Sequence, residues 1–203
     1  MSPVDDLARL LAARHMVRDF TDEAVPDEVV DRLLDLARRA PSAGNTQAWS
    51  FLVLRDADVE RYWRTTMPDA AVRSRFRWQG LLRAPVLVVP YVRPDAYAER
   101  YAEQDKAGTG LGAGVDAWPV PYWWVDGGAA TQNLLLAATA AGLGACLFGQ
   151  FEHEAAVRAA FDVPDDQRAL GTIALGWPAQ GEPGRSSGRS RPALDEVVHR
   201  GTW

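Results

Sequence analysis

The feature that most constrains the fold is one long apolar stretch, YWWVDGGAATQNLLLAATAAGLG, which begins at Tyr122. Its length and composition predict a helix from about Tyr122 to Ala141. A helix that is apolar on nearly every side has to be covered on most sides by other elements. Gly127 and Gly128 each lower helix stability by roughly 1 kcal/mol. Their presence predicts a close approach by another element at this point, such as a helix of a partner chain.

The rest of the chain supplies elements that can cover this helix. Helices are predicted at residues 2–14, 26–40, from 56 onward, at 70–83 and at 152–161, and strands at 50–55, 84–92 and 168–177. Residues 93–121 are rich in glycine and are predicted to be irregular. Helices and strands do not alternate regularly, which favours the α+β class, with a central sheet wrapped by helices.

Composition excludes several classes of protein and of site. The chain has 203 residues, which suits one domain, and a formal net charge of −5, which argues against a nucleic-acid-binding face. Cys146 is the only cysteine, so no internal disulfide can form, and the three histidines lack metal-ligand spacing. No uninterrupted apolar run reaches the length of a membrane span. We therefore expect a cytoplasmic protein that binds neither metal, membrane nor nucleic acid.

Arginines occur in a short segment near each end of the chain. Arg14 and Arg18 follow the first predicted helix, and Arg189 and Arg191 lie two residues apart in the C-terminal tail. In an extended tail, residues two apart point the same way, so the latter pair could close on one phosphate. The alternative is a solvated, disordered tail, because GEPGRSSGRSRP is rich in Gly, Ser and Pro.

Two turn-like segments lie between these ends. In APSAGNTQAW, the side chains of Ser42, Asn45 and Gln47 offer hydrogen bonds that could hold a polar chain beside a flat ring, although a plain connecting turn explains the same residues. In GLGACLFG, residues 142–149, glycines could cap a helix or let the backbone approach a ligand. Cys146 is interpreted as a packing residue. The glycine-rich run at 108–114 lacks the strand and helix of a dinucleotide fingerprint and is predicted to be a surface loop.

Taken together, these segments resemble the FMN-dependent nitroreductase family along nearly the whole chain. Four patterns occur in the family's order. They are Arg-x-x-x-Arg-x-Phe at residues 14–20, Ala-Pro-Ser-x-x-Asn-x-Gln-x-Trp at 40–49, Gly-Leu-Gly at 142–144, and Arg-x-Arg-Pro at 189–192.

The resemblance implies a single domain over residues 1–203 with a mostly antiparallel sheet. It also implies a variable lid at 93–121, a C-terminal arm at 177–203, and an intertwined homodimer that holds FMN between its chains. Residues implied to contact FMN are Arg14, His15, Met16, Arg18, Pro41, Ser42, Asn45, Gln47, Gln79, Leu143, Gly144, Ala145, Arg189 and Arg191. Among these, Arg14, Arg189 and Arg191 would hold the phosphate, and Pro41, Ser42 and Asn45 would come from the other subunit. The family often has a Lys or Asn contact before the strand at 84–92, which Gln79 or Arg83 would replace here.

The implied reaction is ping-pong: NADPH or NADH reduces FMN, and a flat acceptor such as a nitroaromatic or a quinone then takes the electrons. The chemistry belongs to the flavin, so no catalytic side chain is expected; Arg18 and the Gly144 backbone would tune the ring. Trp118, Tyr122 and Trp123 either pack in the core or stack on substrate. Three alternatives stay open: a biosynthetic flavin dehydrogenase or oxidase, a flavin-consuming enzyme, and a non-catalytic flavin-binding or storage protein.

Overall fold

The computed structural model describes residues 2–180 and 188–203. Within them the α-helices are α1 (Pro3–Ala13), α2 (Asp27–Ala37), α3 (Ala57–Thr66), α4 (Ala70–Ser74), α5 (Asp95–Tyr101), α6 (Tyr122–Ala140), α7 (Glu154–Ala160) and α8 (Leu194–Val197). The strands are β1 (Trp49–Arg55), β2 (Val86–Val92), β3 (Gly144–Phe148), β4 (Arg168–Ala169) and β5 (Thr172–Gly176).

The strands form one sheet in the order β1-β2-β5-β3, with β4 paired to β2. Every strand pair is antiparallel; Leu52 lies opposite Val89, for example, and Cys146 opposite Ala174. Together with the surrounding helices, this confirms the predicted α+β class and the mostly antiparallel sheet.

The sheet is covered on both faces because successive side chains of a strand point to opposite sides. Leu87 and Val89 of β2 pack with residues of α3 and α7 on one face. Val86 and Val88 of the same strand pack with residues of α2 and α6 on the other face. The core therefore has two layers, one above and one below the sheet.

The long apolar helix is confirmed as α6, within one residue of its predicted end. A Cβ on Gly127 would lie 2.7 Å from Val92 and 2.8 Å from Leu170, so this glycine permits the close approach that its presence predicted. A Cβ on Gly128 would meet no atom within 4 Å. That part of α6 faces open space in the single chain.

The prediction of one continuous helix over residues 70–83 is wrong. The helix ends at Ser74, and a 3-10 helix covers Gln79–Arg83. Phe76 and Trp78, which lie between these two helices, both pack against the core cluster on the α3 side. In a continuous helix, residues two apart face different directions and could not both do so. The Gln79 side-chain amide stabilises this break by donating to the Arg73 carbonyl at 2.8 Å and to the Phe76 carbonyl at 2.7 Å.

Other boundaries also differ from the predictions. The segment 93–121 is not wholly irregular, because it contains α5 and three short 3-10 turns. The predicted strand at 168–177 is divided into β4 and β5 at Gly171, whose φ of +129° interrupts the extended conformation. The segment GLGACLFG contains β3, a strand that the glycine pattern did not reveal.

No helix in residues 2–180 or 188–203 is both long enough and apolar enough to cross a membrane.

Candidate functional site

The extended segment after α1 lies along β3. Met16 forms a parallel bridge with Ala145, and the Val17 N–H donates to the Ala145 carbonyl at 2.9 Å. A Cβ on Gly144 would lie 2.8 Å from a Val17 methyl carbon, so this contact requires glycine. Gly144 and Ala145 are buried here, and Leu143 belongs to the core. The segment thereby directs Arg18 toward the second half of β3.

A cavity of about 380 Å³ lies beside the second half of β3, on the α3 side of the sheet. Its aromatic lining residues are Tyr62, Trp63, Phe76, Trp78, Phe148 and Phe151. Arg18 reaches the same cavity; its Nη1 donates to the Met16 carbonyl at 3.3 Å, and its guanidinium carbon lies 5.5 Å from the centre of the Trp78 ring. Flat apolar walls with one fixed cation suit a planar ligand that carries partial negative charge.

Two buried polar atoms in the lining residues have no hydrogen-bond partner among the described residues. They are Nε1 of Trp63, a donor, and Oε1 of Gln150, an acceptor, and each residue is only 4% exposed. The other end of the Gln150 amide donates to Thr172 Oγ1 at 3.0 Å, which fixes the side chain. Unpaired buried polar groups are costly, and both atoms are also closed to solvent.

Cys146 also lines the cavity, in addition to packing in the core. Burial raises the pKa of its thiol, and the positive charge of Arg18 opposes that rise only in part. A thiol that stays protonated is a poor nucleophile. The cavity therefore offers no activated side-chain nucleophile at this position, and Cys146 acts as part of the apolar wall.

The two residues predicted to replace the family's Lys or Asn contact are engaged elsewhere. The Gln79 amide N–H groups bind the preceding loop, as described above, and Gln79 itself is exposed. Arg83 donates to the Phe20 carbonyl at 3.0 Å and forms an ion pair with Asp19. Both line a smaller pocket that adjoins the aromatic cavity. A flavin contact by either stays a prediction.

The turn after α2 adopts a tightly constrained backbone. Gly44, Asn45 and Gln47 all have φ between +52° and +60°, a region that side-chain-bearing residues rarely adopt. The Ser42 hydroxyl accepts from the Gln47 N–H at 2.9 Å, and the Thr46 hydroxyl donates to the Ala43 carbonyl at 2.6 Å. Strained residues of this kind persist only where the surroundings fix them.

Residues from α5 and α6 provide that fixation. Oδ2 of Asp126, a residue only 6% exposed, accepts from the Ala43 N–H and from the Tyr97 hydroxyl, each at 2.8 Å. Arg100 Nε donates to the Gly44 carbonyl at 2.9 Å. Burial raises the pKa of Tyr97, and the hydrogen-bonded carboxylate of Asp126 raises it further, so its hydroxyl remains a donor. We call Asp126, Tyr97 and Arg100 the turn clamp.

The clamp holds the base of the turn and leaves its tip available. Pro41, Asn45 and Gln47 are exposed, whereas Ser42 is half-buried. None of the four lines the aromatic cavity or the adjoining pocket. Within one chain, the turn and the cavity are therefore separate, and the contacts predicted for these residues stay predictions.

The predicted phosphate-binding residues are likewise apart from the cavity in the single chain. Arg14 is half-buried at the end of α1, and the exposed His15 approaches the Ala13 carbonyl through Nδ1 at 2.9 Å. Arg189 and Arg191 are exposed, as are all described residues of the tail from 188 to 203. Residues 181–187, which belong to the predicted C-terminal arm, lie outside the residues that the structure describes.

The three aromatic residues for which two roles were left open occupy different environments. Trp118 and Trp123 are each 8% exposed and pack around Tyr97 in a small third cluster. The Trp118 indole donates to the Leu111 carbonyl at 3.1 Å. Tyr122 is 43% exposed. Packing therefore accounts for both tryptophans, and Tyr122 alone retains a free face.

Sequence reasoning missed several residues of this site. No local pattern indicated that Trp63, Phe148 and Gln150 line a cavity. Their neighbours predict only a helix and a glycine-rich segment. Asp126 offered a signal, because a carboxylate inside an otherwise apolar helix has to find hydrogen-bond donors. No group of three or more His, Cys, Asp or Glu residues that could hold a metal ion occurs in the residues described.

Several known proteins are similar to this chain along most of its length. A protein from Methanothermobacter thermautotrophicus, provisionally named NADH dehydrogenase/NAD(P)H nitroreductase, is 29% identical over 98% of this chain and 88% of its own. The 5,6-dimethylbenzimidazole synthase of Rhodospirillum rubrum is 29% identical over 88% of this chain and 85% of its own. The nitroreductase CinD of Lactococcus lactis, solved with nicotinic acid, superposes with a TM-score of 0.76 at 15% identity and covers 96% of this chain and 98% of its own.

The match to a family model is broader than any single motif. The model of the nitroreductase family matches residues 11–177, which include the segment after α1, the clamped turn, the cavity and the whole sheet. The chain therefore belongs to the nitroreductase family of oxidoreductases, whose members generally use a flavin together with NAD(P)H.

Proposed function

We propose that the protein is an FMN-dependent oxidoreductase that uses NADPH or NADH to reduce flat acceptors, such as nitroaromatics or quinones, in a ping-pong reaction. The observation that carries the proposal is the aromatic cavity with Arg18 at its wall. An isoalloxazine ring is flat and gains negative charge on reduction, so its chemistry suits aromatic walls with one cation.

FMN, when bound, supplies the ring that accepts and donates hydride. The chain supplies what surrounds it. Arg18 provides a fixed positive charge that favours any ligand gaining negative charge on reduction. The aromatic residues of the cavity offer apolar contact surface, and Tyr62, whose pKa is raised to about 12 mainly by burial, stays neutral at physiological pH. The phosphate would be held by Arg14, Arg189 and Arg191, as the family resemblance implies.

A homodimer is part of the proposal, because one chain does not bring all these groups together. On α1, Val4, Leu7 and Leu11 are 68%, 48% and 45% exposed, although they form the apolar face of that helix. On α6, Val125 is 53% exposed beside the open position of Gly128. Apolar helix faces left uncovered in one chain are typical of interfaces. A second copy would cover them and bring its turn and arm to the cavity.

The test is spectroscopic. Purified protein should be yellow, and excess NADPH or NADH under nitrogen should bleach the flavin absorbance, which an added acceptor then restores. Colourless protein that cannot be reconstituted with FMN would contradict the proposal. A bound flavin that neither nucleotide reduces would instead favour storage.

A biosynthetic role is the second candidate, and the similarity to a 5,6-dimethylbenzimidazole synthase is what favours it. In that case the enzyme would dehydrogenate or oxidise a natural product, or consume its own flavin with oxygen. Product analysis after aerobic turnover distinguishes the two: reduction of a flat acceptor at the expense of NADPH or NADH supports the reductase, whereas oxidation of an organic substrate, or stoichiometric conversion of the flavin itself, supports the biosynthetic role.

A further inference from the structure

The turn that follows β3, at residues 150–153, forms one side of the aromatic cavity. Gln150, Phe151 and His153 all line that cavity. Phe151 is nevertheless 84% exposed, so this turn lies where the cavity opens to solvent. We call residues 150–153 the rim turn. A ligand that enters the cavity from solvent on this side passes the rim turn.

The rim turn is held in a conformation that its sequence disfavours. Phe151 has a φ of +46°, in the left-handed region that bulky residues rarely adopt. Its ring packs against Gly149, where a Cβ would lie 2.7 Å from Cζ of the ring. The His153 N–H donates to the Gln150 carbonyl at 2.9 Å, and the Gln150 amide is anchored to Thr172. Strain of this kind persists where surrounding contacts fix the backbone, so the rim turn holds His153 at a defined place beside the cavity.

His153 is placed to exchange protons between the cavity and solvent. Its side chain is 38% exposed and also lines the cavity, so it contacts both. Within residues 2–180 and 188–203, no hydrogen bond engages its ring nitrogens; Nε2 lies 3.6 Å from Glu152 Oε1, beyond hydrogen-bond distance. Glu154, the next acidic residue, is engaged with Arg168 at 2.9 Å. The imidazole is therefore available to a ligand.

The other titratable side chains that line the cavity, among the residues that the structure describes, hold their protons at neutral pH. Arg18 keeps its proton because a guanidinium is too basic to lose it. Burial raises the pKa of Tyr62 to about 12 and also raises the pKa of the Cys146 thiol. Imidazole is the side chain that ordinarily gains and loses a proton between about pH 5 and 8. His153 is thus the described lining residue suited to acid–base chemistry at neutral pH.

We propose that His153 is a catalytic acid that gives a proton to the acceptor as the acceptor takes up hydride. This role rests on the proposed function, because it needs a flavin reduced by NADPH or NADH as the source of hydride. A quinone becomes a hydroquinone by gaining two electrons and two protons, and the hydride brings both electrons and one proton. For the second proton, an N–H bond of the imidazolium breaks and an O–H bond forms on the acceptor. The neutral imidazole then regains its proton from water.

The experiment compares two acceptors that differ in their need for a proton. 1,4-Benzoquinone takes up protons as it is reduced, whereas ferricyanide takes up electrons alone. For His153→Gln, we expect the rate with benzoquinone to fall about tenfold to 100-fold, the lower end for general acid catalysis, because water can partly replace an exposed imidazole. The rate with ferricyanide and the rate of flavin bleaching by NADPH should each change less than about twofold.

Two further signatures separate a proton donor from a structural residue. With benzoquinone, the rate of the parent protein should fall as the pH rises from about 5 to 8, because the imidazolium loses its proton, and the rate of His153→Gln should not. Added imidazole should restore part of the rate of His153→Ala. His199→Gln is the matched control, because His199 is exposed, does not line the cavity and should leave every rate unchanged.

A measurement without turnover tests the same residue by proton NMR. The chain has three histidines, so the variants His153→Gln and His199→Gln are enough to assign their ring resonances. Addition of hydroquinone, the product, to the FMN-loaded protein should shift the C2–H resonance of His153 and leave that of His199 in place. A His153 resonance that does not respond to hydroquinone, or does not move between about pH 5 and 8, would overturn the proposal.

The outcomes distinguish this role from the proposed function. If the parent protein reduces both acceptors while His153→Gln slows neither, or slows both equally, the role of His153 is overturned and the oxidoreductase activity stands. If the parent protein reduces neither acceptor with NADPH or NADH, the proposed function fails and the role of His153 fails with it.

Discussion

The turn after α2 and the C-terminal tail differ sharply in what holds them. The base of the turn is fixed by the turn clamp, by the Ser42 hydroxyl and by the ring of Tyr101 packed against Gly44. The described residues of the tail, 188–203, are all exposed, and Trp203 is 100% exposed. Both are proposed to contact the same flavin, the tail through its phosphate. In the proposed homodimer, the turn is prepared by its own chain, whereas the tail would find its contacts on the second chain.

Removal of residues 181–203 should have the largest effect on the proposed site. Loss of two guanidinium contacts to phosphate, each of about 1.5 kcal/mol, corresponds to about 100-fold weaker retention of FMN. The melting temperature of the remaining chain should change little, because the described tail residues are all exposed. Equilibrium dialysis measures FMN retention and thermal unfolding measures the melting temperature; unchanged FMN affinity would reduce the tail to a solvated extension.

Asp126→Ala should loosen the turn after α2, because it removes the central residue of the turn clamp. It leaves the Tyr97 hydroxyl and the Ala43 N–H without an acceptor, so we expect the free energy of unfolding to fall by about 2–3 kcal/mol. FMN retention should fall as well, because the turn loosens. Urea unfolding and FMN titration provide the readouts. Asp126→Asn keeps an acceptor oxygen and should retain most of both properties; an equal loss in this variant would show that the negative charge matters more than the hydrogen bonds.

Arg191→Ala tests a single contact within the tail. We expect about tenfold weaker FMN retention, corresponding to about 1.4 kcal/mol, with unchanged reduction kinetics in the fraction that still binds flavin. Arg200→Ala is the control, since Arg200 is an exposed arginine of the same tail outside the Arg-x-Arg-Pro motif. Identical affinities for the two variants would remove Arg191 from the site.

A pair of tyrosine variants gives the smallest effect and the sharpest contrast. Tyr97→Phe removes a buried hydrogen bond to Asp126 and should lower the free energy of unfolding by about 1 kcal/mol. Tyr91→Phe removes a hydroxyl that has no partner among the described residues, so its stability should be unchanged or slightly higher. Thermal unfolding distinguishes them. Similar losses in both variants would show that the clamp contributes nothing specific.

Much of the framework could be predicted from local patterns. The α6 helix, the buried strand that became β2 and the capped start of α1 each follow from composition and spacing within one segment. The break after Ser74 could not, because it depends on Phe76 and Trp78 turning toward a core that other segments build. β3 was hidden for a similar reason: its glycine is required by contact with Val17, far away in the chain.

The sequence by itself determined the order of the arginine, turn and glycine segments, and hence the family. Each of these patterns is contained in a short stretch of the chain, so it can be recognised without knowing which residues it contacts. Only the tertiary structure decided which atoms meet. The Ala43–Asp126 hydrogen bond joins residues 83 positions apart, and the Tyr62–Thr172 hydrogen bond joins residues 110 apart. The buried polar atoms of Trp63 and Gln150 that have no partner among the described residues arise in the same way. Burial and charge balance depend on every segment that packs around a group, and no single segment encodes them.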